Sequence, residues 1–146
     1  MNSTGSQRLA AWRRFGAVAG SCLGALLLWV RACANDGATE QWQRGKTEFE
    51  THCTNGCHMP DLTAGAVAPA LKGGVFLQHW QGLGANELFG RIRSTMPQQK
   101  PRSLSDQTYV DILAFVLHEN GISVGATELQ SDVDSLSGVI VKPVTE

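Results

Sequence analysis

The sequence predicts an all-α protein with long loops, and three observations support this fold class. Three segments place apolar residues at the three- and four-residue spacing of a helix face. The stretches between them, at residues 63–74 and 97–101, contain glycines and prolines at the positions typical of loops. The chain has 146 residues, of which 42% are hydrophobic, and this amount of apolar sequence fits one small domain.

The first two helices are predicted from apolar residues that recur on one face. About residues 41–52, Trp42, Gly45 and Phe49 follow one another at spacings of three and four. About residues 85–94, apolar side chains again recur along one side. We therefore expect two amphipathic helices, each with one face in the core.

The third predicted helix has the clearest boundaries. Ser105 precedes two polar residues, which indicates a helix start, and apolar residues then recur from Tyr109 to Leu117. Asn120 and Gly121 are typical of a helix end.

Because the domain is short and rich in loops, we expect an internal cofactor or disulfides to complete its core.

Residues 1–34 are predicted to be a leader, because their charge and composition differ from the rest. They carry a net charge of +4, whereas residues 35–146 carry −5. The uncharged apolar run from Gly16 to Val30 is shorter than the roughly 20 residues that cross a membrane. Ala32-Cys33-Ala34 follows this run and matches a signal-peptidase site. We expect a cleaved signal peptide, or alternatively a lipoprotein leader in which Cys33 is lipidated.

This division predicts three parts and excludes one class of partner. After the leader we expect a main domain at residues 35–130 and a C-terminal tail at residues 131–146 that is extended or disordered. The acidic balance of the exported part argues against a nucleic-acid binder, which would carry a basic patch. Membrane contact is expected only through the leader or a lipid on Cys33.

The motif that carries chemistry is Cys53-Thr54-Asn55-Gly56-Cys57-His58. A c-type haem is attached through two cysteine sulfurs and is ligated by the histidine after the second cysteine, usually as C-x-x-C-H. This chain has three residues between the cysteines instead of two. Asn55 and Gly56 readily take positive φ, so we expect a local bulge to absorb the extra residue. The sequence thus predicts one covalently attached haem c, with His58 as an axial iron ligand.

Met96 is the candidate for the second axial ligand. It stands at the predicted end of the second helix and before Pro97, which prevents the helix from continuing. A thioether opposite a histidine raises the reduction potential and suits electron transfer. Three other histidines are alternatives for this position, and three further side chains are candidates to bind the haem propionates. The alternatives are His52, His79 and His118, and the propionate candidates are Trp80 with Arg91 or Arg93.

These residues together resemble a class I cytochrome c. The likeness runs over about residues 41–129 and includes Gly45 with Phe49, the haem motif, the APALKG loop, the MP pair and the last helix. Residues 76–129 resemble more narrowly the cytochrome c domains associated with quinoprotein alcohol dehydrogenases. The resemblance implies a small cytochrome c fold of three to five helices around one haem. It also implies that Pro69 helps to fix the His58 ring and that Ile112 or Phe115 meets Gly45 and Phe49.

The sequence therefore predicts a periplasmic electron carrier of a Gram-negative bacterium and not an enzyme. Its haem would cycle between Fe(II) and Fe(III) while exchanging electrons with redox proteins, a quinoprotein dehydrogenase among them by resemblance. Two other classes remain open at this point. One is a haem peroxidase or ligand sensor with an open distal position, and the other is a zinc-binding structural lipoprotein. The zinc ligands in that alternative would be His52, Cys53, Cys57 and His58.

Overall fold

The computed structural model describes residues 37–143, and regular structure in this range is almost entirely helical. The all-α prediction is confirmed. Strand pairing within the range is limited to two isolated bridges, Gly84 with Ile140 and Ile122 with Pro143. The predicted leader at residues 1–34 lies outside the described residues. In chain order, the helices of this range are α1 (Gly37–His52), α2 (Gly74–Trp80), α3 (Ala85–Thr95), α4 (Asp106–Glu119) and α5 (Val133–Ser137).

Helix α4 lies at the centre of the fold. Every residue from Tyr109 to Leu117 is buried, and α4 packs against both α1 and α3. The predicted start is confirmed, because the Ser105 side chain accepts a hydrogen bond of 3.0 Å from the backbone N–H of Thr108. The predicted end is also confirmed, with Asn120 as the C-cap residue. A helix buried on all sides provides a fixed platform for the segments around it.

Helices α1 and α4 cross at Gly45. A Cβ atom at this position would overlap the backbone carbonyl of Asp111, so only glycine allows the two backbones to approach this closely. The rings of Phe49 and Phe115 pack beside the crossing, with 5.5 Å between their centroids. The contact expected from the cytochrome c resemblance is therefore present, and it is made by Phe115.

A cluster of polar side chains, here called the Asp111 cluster, joins α1 to α4 and to the segment after α4. The carboxylate of Asp111 accepts hydrogen bonds from Gln41 at 3.1 Å and from Arg44 at 3.1 Å. Gln41 is fully buried and also bonds both the N–H and the carbonyl of Leu129. Arg44 reaches Glu128 at 2.9 Å. Hydrogen bonds to Asp111 and Glu128 raise the pKa of Arg44 further, so the guanidinium stays charged.

The observed helices extend the predictions at two places. Helix α1 begins at Gly37, before the predicted 41, and α3 ends at Thr95. Periodicity predicted neither α2 nor α5, which have seven and five residues. Helix α2 follows Gly73, whose φ of 74° only glycine adopts readily, so the predicted loop at 63–74 gives way to a helix at its last residue.

The expectation of an extended or disordered tail is wrong for residues 131–143, which contain α5 and pack onto the rest of the described chain. Leu136 of α5 and Val141 are both fully buried. Val141 accepts a hydrogen bond from Gly82 and donates one to Leu83, both at 2.9 Å. The described part of the tail therefore covers the junction between α2 and α3. Within residues 37–143, no helix has both the length and the apolar character needed to cross a membrane.

Candidate functional site

A cavity of about 490 Å³ lies beside the cysteine motif, and this volume is within the range of small-molecule and cofactor sites. Side chains from α1, α2, α3, α4 and the loops between them form its wall. All five residues that the sequence assigned to cofactor binding line it, although they come from separate segments of the chain. These residues are Cys53, Cys57, His58, Pro69 and Met96.

The cysteine motif forms a tight loop after α1. Cys53 continues the helix with a hydrogen bond of 2.8 Å from its N–H to the carbonyl of Phe49. The N–H of His58 then donates to the carbonyl of Cys53 at 3.1 Å, which closes a loop around residues 54–57. Gly56 takes the positive φ, at 78°, as expected for a residue that absorbs the insertion. The extra residue is thus accommodated locally, and both cysteines still line the cavity.

His58 is buried and lacks a partner for one of its ring nitrogens. The residue is 8% exposed, and its Nδ1 atom has no hydrogen-bond partner among residues 37–143. The ring lies 6.0 Å from that of Phe49, between centroids. Burial lowers the pKa of His58, so its imidazole is neutral at neutral pH and keeps a lone pair for a metal. Buried nitrogens without a partner are uncommon in proteins, and a bound ion or a redox role often accounts for them.

The two cysteines are free thiols and differ in environment. Both are half-buried, and no disulfide joins them. Burial, followed by the charge of Cys57, raises the pKa of Cys53 to about 12. The Cys53 thiol is therefore protonated at neutral pH, and as an apolar group it packs against the core.

Pro69 lines the cavity within a loop that is fastened at several points. A Cβ atom at Gly65 would overlap the carbonyl of Cys57, so this loop lies directly against the cysteine motif. Asn120 donates a hydrogen bond of 2.9 Å to Leu71 and accepts one of 3.0 Å from Gly73. Within residues 37–143, Nδ1 of His58 forms no hydrogen bond to the backbone near Pro69. Pro69 and His58 share the cavity wall, and the role of Pro69 in fixing the ring stays a prediction.

Met96 is the C-cap residue of α3, directly after its last residue, Thr95. Its N–H donates to the carbonyl of Ile92 at 2.9 Å, and its own backbone then turns to an extended conformation. The carbonyl of Met96 accepts a hydrogen bond of 2.8 Å from the hydroxyl of Tyr109. This contact links the Met96 backbone to the buried helix α4.

The alternative ligands divide into two groups. His52 and His79 line the cavity, but each has a local partner: His52 approaches Glu48 at 3.2 Å, and Nδ1 of His79 lies 2.9 Å from the carbonyl of Val75. His118 is not part of the cavity wall and stacks on Trp42, with 4.1 Å between the ring centroids. Met96 therefore remains the stronger candidate for the distal position.

The propionate candidates are also separated by their positions. Trp80 and Arg91 line the cavity. Arg93 does not, and it bonds the carboxylate of Asp106 at 2.6 Å. Of the two arginines that the sequence offered, Arg91 is the one with access to a group in the cavity.

No family model, curated protein or solved structure matches this chain. An assignment of function must therefore be argued from the geometry of the cavity and from the cysteine motif. Within residues 37–143, no group of three or more His, Cys, Asp or Glu side chains is arranged to hold a metal ion. The four-ligand zinc site considered as an alternative, on His52, Cys53, Cys57 and His58, is thus not formed.

The residues present fit a haem. The cavity combines a mainly apolar wall with two free thiols, a neutral imidazole whose Nδ1 is unpartnered and a thioether. These are the groups by which proteins attach c-type haem and ligate its iron. The sequence placed Tyr109 on a helix face and Asn120 at a helix end, but it did not indicate that their side chains also hold this wall. Both act through backbone groups far along the chain, which leave no pattern in the sequence.

Proposed function

We propose that this protein is a monohaem c-type cytochrome that carries single electrons in the periplasm of a Gram-negative bacterium. The observation that supports it most is the convergence of Cys53, Cys57, His58, Pro69 and Met96 on one cavity. Motif chemistry singles out Cys53, Cys57, His58 and Met96, and the family resemblance adds Pro69, in both cases without reference to positions in space. The cysteine motif, Pro69 and Met96 come from three segments of the chain, and three segments chosen at random would not be expected to share one wall.

Each residue has a defined role in this proposal. Cys53 and Cys57 hold the haem through thioether bonds, and His58 and Met96 ligate its iron from two different segments of the chain. Pro69 shapes the wall on the side of the cysteine motif. The haem, when bound, supplies reversible one-electron chemistry at iron. The chain's own contribution is to exclude water with its apolar wall and to fix the two ligands.

A carrier is favoured over an enzyme because two protein ligands leave no position on iron for a substrate. A peroxidase or ligand sensor would require an open distal position. Met96 is tied to the fold through both its N–H and its carbonyl, which supports a fixed ligand. We therefore assign electron transfer as the function.

The partners in this proposal are redox proteins that donate and accept electrons. A quinoprotein dehydrogenase is the donor that the sequence resemblance favours. Residues 35–146 carry a net charge of −5, so a partner with a basic docking surface would be steered toward this protein. Export would proceed through the leader at residues 1–34, or the protein would stay at a membrane through a lipid on Cys33.

The first test is mass spectrometry of the denatured protein after expression with a haem-attachment system. We expect the mass of one haem to remain bound to the wild type and to be lost in a Cys53→Ser/Cys57→Ser double variant. Asn55→Ala, in the same loop, is the matched control and should keep the haem. Wild-type protein that carries no haem would contradict the proposal.

The second test concerns Met96. Replacing it by Ala should abolish the sulfur-to-iron absorption of the oxidised form and open the distal position to added ligands. Met59→Ala is the control, because Met59 is 46% exposed and lies outside the cavity wall. An unchanged spectrum in the Met96 variant would show that another residue ligates iron. Peroxidase activity already present in the wild type would favour the open-site alternative.

A further inference from the structure

Tyr109 lies outside the cavity wall, but its side chain contacts the backbone of Met96, which is part of that wall. It is the only tyrosine in the sequence, and it is 1% exposed in the middle of the core. Its hydroxyl donates a hydrogen bond of 2.8 Å to the carbonyl of Met96 and lies 3.4 Å from the backbone nitrogen of Leu104. The hydroxyl thus joins α4 to the two ends of the segment at residues 96–104.

The Met96 carbonyl, to which Tyr109 donates, lies at the end of α3 and has no hydrogen-bond partner within that helix. Met96 is the C-cap residue of α3, with φ of −122° and ψ of 151°, and the chain turns away from the helix here. Pro97 follows and has no N–H, so it cannot donate a bond of its own. The direction of the Met96 side chain depends on this backbone, and the Tyr109 hydroxyl is the contact that holds its carbonyl.

We infer that Tyr109 is a positioning residue for Met96: it holds the Met96 backbone so that the thioether stays at the distal side of the cavity. This inference rests on the proposed function, since it concerns the ligand of the proposed haem. Tyr109 acts from buried α4, whose own position is fixed by contacts with α1 and α3. The bond therefore opposes replacement of Met96 by solvent or by a small ligand.

The test is Tyr109→Phe, which removes only the hydroxyl and leaves the ring in the core. In the oxidised protein, added imidazole competes with Met96 for iron, and its binding constant measures how readily Met96 leaves. Loss of one hydrogen bond should strengthen imidazole binding on the order of fivefold. Hydrogen exchange at residues 96–100 should become faster in the same variant, and this readout does not depend on haem.

Ser105→Ala is the matched control, because it removes the cap of α4 without removing the bond to Met96. It should leave both imidazole binding and exchange at residues 96–100 close to the wild type. If Tyr109→Phe matches the wild type in both measurements, the inference is wrong. Equal shifts in the two variants would also overturn it, because they would show a general loosening of α4.

The failure of this inference can be told apart from failure of the proposed function. A wild type with covalent haem and a methionine-to-iron absorption, together with an unaffected Tyr109→Phe variant, rejects only the role of Tyr109. A wild type without that absorption rejects Met96 as the ligand and the positioning role with it.

Discussion

Two buried polar side chains among residues 37–143 differ in whether their polar atoms have hydrogen-bond partners. Asp111 is 4% exposed and accepts hydrogen bonds from Gln41, Arg44 and Gln107. His58 is 8% exposed, and one of its ring nitrogens has no partner. Within residues 37–143, the Asp111 carboxylate has three side-chain donors, whereas Nδ1 of His58 has no partner. The comparison separates a buried polar group whose partners lie within residues 37–143 from one whose Nδ1 atom has no partner there.

The largest expected effect is at the helix crossing beside the Asp111 cluster. Gly45→Ala should destabilise the protein by about 3 kcal/mol, because the new methyl group overlaps the Asp111 carbonyl and forces α1 from α4. Gly90→Ala is the control, since a Cβ at this position in α3 meets nothing within 4 Å. It should be neutral or gain up to about 1 kcal/mol. Chemical denaturation of both variants measures the difference, and equal stabilities would refute the close crossing.

The second prediction tests the two polar groups directly in protein that carries no cofactor. Asp111→Ala should cost about 2–3 kcal/mol, because Gln41 and Arg44 lose their shared acceptor. His58→Leu should instead gain about 1–2 kcal/mol, because it removes a buried nitrogen that has no partner. Urea unfolding compares the two. A clear loss of stability in His58→Leu would mean that the ring nitrogen is satisfied by the protein itself.

The smallest effect is expected at an exposed ion pair near the cavity. Lys72 bonds Glu119 at 2.8 Å and holds the pKa of Glu119 below its ordinary value of 4.5. A carboxylate with a lowered pKa stabilises the fold above that ordinary value, and this contribution is lost as the pH falls through the pKa of the folded state. Glu119→Gln should therefore lower stability by less than about 1 kcal/mol at neutral pH.

The pH dependence distinguishes this pair from a general effect of the substitution. Wild type and Glu119→Gln should converge in stability as the pH falls below 4.5, as measured by thermal unfolding in a pH series. Glu50→Gln serves as the control, because Glu50 is an exposed residue of α1. A difference between Glu119→Gln and the wild type that is the same at every pH would contradict the role of the ion pair.

The sequence was informative where local chemistry decides the structure. Helix α4 was predicted with both ends, because Ser105 and Asn120 act through neighbouring backbone groups. The positive φ at Gly56 was anticipated for the same reason. Four of the cavity residues were found through the chemistry of the motif, which requires cysteines, a histidine and a soft ligand whatever the fold, and Pro69 was found through the family resemblance.

The sequence was less informative where partners lie far apart along the chain. The bond between Gln41 and Asp111 spans 70 positions, and nothing in the neighbourhood of either residue indicates it. Helices α2 and α5 are too short for periodicity to be detected. The unpartnered Nδ1 atom of His58 could not be predicted, because it depends on whether distant segments place a hydrogen-bonding group beside the ring.

Trp42 of α1 stacks on His118 of α4, so its fluorescence reports on the contact between these two helices. Trp42 lies on His118, with an interplanar angle of 8°, whereas Trp80 is in the wall of the cavity. These are the two tryptophans in residues 37–143. In haem-free protein from which residues 1–34 have been removed, the emission of a Trp80→Phe variant follows the separation of α1 from α4, and that of a Trp42→Phe variant follows the cavity. Comparison of the two emission signals during unfolding can thus show whether the contact between α1 and α4 is lost together with the cavity or in a separate step.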